Sequence, residues 1–109
     1  MVDHELDELK REFLAEAEEK VREMQTALTS GHNPASLERL GYLAHQLKGS
    51  GGSYGYQRIS ADAAEIEKAV ESVDGSGLDS TAEKKVQEHI GNLQTEIETR
   101  VRELSVQGT

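Results

Sequence analysis

The stretch LDELKREFLAEAEEKVREMQTAL, residues 6–28, decides the fold. Leu6, Leu9, Phe13, Ala17, Val21, Met24 and Leu28 recur in steps of three and four, so they share one face of a helix. No glycine or proline interrupts residues 3–30, and Gly31 reads as the C-terminal stop. A helix with one apolar stripe has to bury it against other elements.

The rest of the chain supplies those elements. Asn33 is a good N-cap, and Pro34 fits the first position of a second helix carrying Leu37, Leu40, Ala44 and Leu47. Ile59, Ala63, Ile66, Val70 and Val73 form a third stripe. After the loop DGSGLDS, Ser80 with Glu83 reads as a capping box opening a fourth helix with Val86, Ile90, Leu93, Ile97, Val101 and Leu104. The tail SVQGT is expected to fray. No segment alternates with the period of a strand. Four single-striped helices joined by short loops predict an all-α, up-down-up-down antiparallel four-helix bundle. Its helices span roughly residues 3–30, 34–53, 56–73 and 80–105 of one domain covering 1–109.

Composition narrows the function. Of 109 residues 35% are hydrophobic, which suffices for one core, and the net charge of −9 argues against nucleic-acid and anionic-membrane partners. With no cysteine there is no disulfide, thiol or zinc–thiolate chemistry. No apolar run approaches the ~18–20 residues of a membrane span. The charged start MVDHELDELKREF lacks the apolar core of a secretory signal. The expectation is a cytoplasmic monomer.

The second helix contains its own oddity, LAHQLKGSGGSYGY, residues 43–56. A mid-helix glycine costs about 1 kcal/mol relative to alanine, yet Gly41, Gly49, Gly51 and Gly52 crowd around His45. At ~100° per residue, Leu37, Leu40, Ala44 and Leu47 lie roughly 80–160° to one side of His45, which therefore faces solvent. Gly41, Gly49 and Gly52 lie within about 40° of the histidine's direction and are read as clearing space for a partner. Lys48 flanks the same face. Gly51 points towards the core side, where a missing side chain permits close helix approach, and Gly55 serves the turn into the third helix. The face near Leu43, Gln46 and Ser50 borders His45 and is read as the docking region.

An exposed imidazole beside an ammonium suits nucleophilic attack on phosphorus, a reaction governed by positioning and electrostatics. Metal binding is disfavoured, since no second histidine lies three or four residues away. His4, His32 and His89 share no motif and read as surface or rim histidines. Tyr54 and Tyr56 read as turn-packing aromatics.

At AHQLKGSGGSYG, with His45, Leu47, Lys48, Gly49, Ser50 and Gly55, the sequence resembles a histidine-containing phosphotransfer (HPt) domain. The GSYGY ending is similar to the phosphotransfer domain of chemotaxis-type histidine kinases. The resemblance implies that His45 accepts the phosphoryl group, that Lys48 lies beside it, and that Gly49 and Gly52 keep the surface open. Glu67 of AAEIEKA, twenty-two residues after His45, would orient the imidazole, although a solvated helix residue is an equal reading. Gln46 stands where sensor kinases usually have an acidic residue, and no nucleotide-binding motif is present. The resemblance thus implies a phosphoryl carrier rather than an enzyme, with receiver domains of response regulators or a separate histidine kinase as partners. No cofactor of its own is expected, and magnesium would belong to the receiver. The alternative is a bundle that binds signalling partners without transferring phosphate, against which the intact His45–Lys48–Gly49 grouping argues.

Overall fold

The computed structural model describes residues 4–30, 33–73 and 77–107. Gly31 and His32 lie outside the described residues, as does the side chain of His4. Four helices follow one another: α1 (His4–Thr29), α2 (Pro34–Ser53), α3 (Gln57–Glu71) and α4 (Ser80–Gln107). Each packs on the next, and α4 closes back on α1, while the backbones of the diagonal pairs stay apart. This is an antiparallel four-helix bundle, drawn out to 53 × 19 × 19 Å.

Local chemistry explains the boundaries. The Asn33 side chain accepts from the Ser36 N–H at 2.8 Å, and Pro34 follows it, so α2 starts where its cap dictates. At the other end Gly55 takes φ +82°. Its N–H donates to the Gly52 carbonyl at 3.1 Å, and the Tyr56 N–H donates to that of Gly51 at 2.8 Å. That pair of bonds is a Schellman termination, which needs a left-handed residue at this point.

The α4 start differs from expectation. Asp79, not Ser80, is the cap: its Oδ1 accepts from the Ala82 N–H at 2.7 Å, and its carbonyl accepts from the Glu83 N–H at 2.9 Å. Ser80 is already helical. Aspartate caps as well as serine does, so the residue that comes first in the chain takes the position. At its far end α4 remains helical through Gln107, beyond the expected fraying point.

The core runs the length of the bundle through Leu14, Ala17, Met24, Leu40, Leu43, Leu47, Ile59, Ile66, Val86, Leu93 and Ile97, and no polar or charged residue is buried among the described residues. Leu6 and Leu9 depart from the predicted stripe, at 40% and 48% exposed. The α2–α3 turn packs at Phe13, where Tyr54 and Tyr56 stack on the ring at 5.0 and 5.9 Å between centroids. Leu6 lies seven residues earlier, about 10 Å further along the helix, so the α2–α3 layer no longer covers it. Leu78, in the loop before α4, is buried at 7%. Among the described residues no helix is long and apolar enough to cross a membrane.

Candidate functional site

His45 projects from the middle of α2 with its side chain 68% exposed. Its own helix fixes that direction, because Leu40, Leu43, Ala44 and Leu47 occupy the inward face. From the neighbouring α3, Glu67 reaches across. Its Oε2 lies 2.7 Å from His45 Nδ1, and its Oε1 accepts from Lys48 Nζ at 3.0 Å. One carboxylate therefore ties together both candidate residues of α2. Because its side chain is only 14% exposed, the Glu67 carboxylate is the most sheltered member of the group.

The hydrogen bond from Lys48 is the main cause that holds the Glu67 carboxyl below its ordinary value, helped by the bond from His45 and opposed by burial. Glu67 is then ionised at neutral pH and can only accept. The proton between it and His45 must sit on Nδ1. In the neutral ring this leaves the lone pair on Nε2, which has no partner among the described residues. The geometry yields an outward-facing nucleophilic nitrogen whose tautomer is set by a carboxylate.

Two further contacts fasten α2 to α3 beneath the site. Ser60 Oγ donates to the Lys48 carbonyl at 2.9 Å. A Cβ placed on Gly51 would stand 3.1 Å from Ile59 Cγ2 and 3.2 Å from the Ser60 nitrogen. Gly51 thus lets the two backbones come close enough for Glu67 to span the gap.

The remaining glycines divide differently from the sequence reading. A Cβ on Gly49 would meet nothing within 4 Å, so that flank of His45 is open. A Cβ on Gly52 would make ordinary contact with Ser60 Oγ at 3.6 Å. Gly41 does not clear the partner face: its Cβ would press on Val70 Cγ1 at 3.2 Å. It lies one turn before His45 on the side of α3, and its small size serves helix packing.

Leu43 also has to be moved. It is 1% exposed and belongs to the core, not to a docking face. Two residues before His45, it is rotated by about 160° from it. Gln46 and Ser50 do border the histidine. They line a shallow groove that continues onto α1 at Glu16 and Lys20. Those two α1 residues were missed, although both flank the core position Ala17 in the α1 stripe. Gln46 itself donates to Tyr42 Oη at 2.8 Å. Among the described residues no cluster of His, Asp and Glu could hold a metal ion.

The model of one protein family, the Hpt domain, matches residues 8–105. No curated protein and no solved structure matches the chain.

Proposed function

The chain belongs to the Hpt domain family, and from that premise we propose that His45 is the residue through which it carries phosphate. Hpt domains transfer phosphoryl groups on histidine in two-component signalling and interact there with receiver domains and kinases. The observation that carries the assignment to His45 is the 2.7 Å contact between its Nδ1 and the ionised Glu67 on an otherwise exposed ring.

The step balances as a single displacement. The Nε2 lone pair attacks the phosphorus of an aspartyl phosphate on a receiver. The P–N bond forms as the P–O bond to the aspartate breaks, and the aspartate leaves as a carboxylate with the bonding pair. The ring keeps its Nδ1 proton and becomes formally cationic, a charge that Glu67 stabilises, as a buried carboxylate does for a catalytic imidazolium. The reverse step returns the group to a second receiver. Lys48 supplies a second role: one of its three protons serves Glu67, and the others are available to phosphoryl oxygens beside Gly49. No nucleotide is needed, because the energy arrives in the aspartyl phosphate. In this reading the chain works as a cytoplasmic monomer without a cofactor, and magnesium is held by the receiver.

The test is to mix the protein with a phosphorylated receiver and follow the label. Acid-labile, alkali-stable phosphate on the wild type and none on His45→Gln is the expected result. Full transfer to His45→Gln overturns the assignment. Receiver binding with no label on either protein would support an interaction module instead.

A further inference from the structure

A second imidazole repeats the geometry of the first on another face of the bundle. His89, on α4, places Nδ1 2.8 Å from Asp62 Oδ1 of α3. The same oxygen accepts from Asn92 Nδ2 at 3.3 Å, which fixes the carboxylate against its two donors. A carboxylate can only accept, so the proton lies on His89 Nδ1 and the lone pair of the neutral ring lies on Nε2. Nε2 has no hydrogen-bond partner among the described residues. Among the described residues no buried side-chain nitrogen or oxygen is left unpaired, so Nε2 must reach solvent.

The ring lines a groove between α3 and α4 that also carries Lys68 and Lys85. Lys85 makes no ion pair among the described residues, whereas Lys68 lies 3.6 Å from Glu65. Glu65 and Asp79 face the same groove, so it holds both signs of charge rather than a cationic pocket. The His89 side chain is 26% exposed against 68% for His45. The His89 ring is recessed between two helices, so a folded partner has less access to it than to His45. A small phosphorylated molecule can reach it.

We propose that His89 is a second phosphorylatable histidine, modified on Nε2 by small donors with an activated phosphoryl group and not by receiver domains. With phosphoramidate as donor, the Nε2 lone pair attacks phosphorus, the new P–N bond forms, and the donor's P–N bond breaks. The donor's protonated nitrogen takes the bonding pair and leaves as ammonia, and the His89 ring retains its Nδ1 proton against Asp62. The site is independent of the role proposed for His45.

The experiment incubates wild type, His45→Gln and His45→Gln/His89→Gln with potassium phosphoramidate. Label is then mapped on tryptic peptide 86–100, whose only histidine is His89. Glutamine at position 89 can still donate to Asp62, and circular dichroism of each variant verifies the bundle. The expected result is label on that peptide in wild type and His45→Gln, confined to Nε2 by phosphorus NMR, and none in the double variant. Asp62→Ala should slow labelling about 10–100-fold, by analogy with the loss when a carboxylate orienting a metal-bound histidine is removed, and should let Nδ1 be modified. The change of isomer reports that Asp62 occupies Nδ1, and the slower labelling, which a merely structural bolt between α3 and α4 would not produce, reports that it assists attack by Nε2. Absence of label on His89, whatever His45 does, overturns the proposal. So does a mixture of isomers in the protein with Asp62 intact, or equal labelling of His89 by a phosphorylated receiver.

Discussion

Glu67 accepts from His45 and Lys48 through different oxygens, so removing its charge should alter stability and reactivity together. Its folded carboxyl titrates below the ordinary 4.5. A depressed carboxyl adds stability that is complete above the unfolded value and is lost as pH falls through the folded one. Glu67→Gln should therefore melt lower than wild type at neutral pH, and the gap should narrow as pH is taken below 4.5. Thermal unfolding across an acid titration checks this, and a gap that stays constant through that range contradicts it. For transfer, Glu67→Ala frees the ring to adopt either tautomer. The expected loss is about 10–100-fold in the rate from a phosphorylated receiver, on the scale of lost orienting carboxylates, with His45 still labelled at long times. A rate equal to wild type would make Glu67 only a clasp between α2 and α3.

Within α2, Gly49 and Gly51 make opposite predictions although they stand two residues apart. Gly49 faces open space and Gly51 faces Ile59 and the Ser60 backbone. Gly49→Leu should leave the bundle as stable as before, or more so by up to about 1 kcal/mol from helix propensity, while obstructing transfer to His45. Gly51→Leu should instead cost about 1–3 kcal/mol through overpacking, read as a lower midpoint in denaturant. Unchanged transfer by Gly49→Leu would remove the steric account of that glycine. Much of this division was legible as helical phase: His45 outward, Gly51 inward, Gly55 at the turn. Phase alone did not separate Gly41 from Gly49. Both lie close to the direction of His45, but α3 passes over one and not the other, and a single helix's sequence cannot state where its neighbour crosses. Leu43 is a different case, since its rotation of about 160° from His45 was available from numbering alone.

Across the whole molecule the same contrast holds between faces and neighbours. The four stripes and the Asn33 cap lead directly to four helices and their order. Leu6 and Leu9 continue the α1 stripe in sequence and yet stay exposed, because a stripe shows which way a residue points and not whether another helix extends that far. The Asp62–His89 pairing joins residues on different helices with no local motif, and neither residue alone signals the other. The arrangement also separates what stabilises the bundle from the site proposed for transfer. Among the described residues no polar or charged residue is buried, whereas His45, Lys48 and Glu67 meet on the surface between α2 and α3. Leu40 is fully buried behind that surface, five residues before His45. Leu40→Ala should cost about 2–5 kcal/mol, a large part of the ~5–15 kcal/mol that domains possess. The unfolding midpoint should drop accordingly. Transfer per folded molecule, measured well below that midpoint, should stay within about twofold of wild type, since Glu67 and Ser60 still hold α2 to α3. A rate that falls much further than the folded fraction would mean that the core sets the position of His45, and that stability and transfer are one property in this fold.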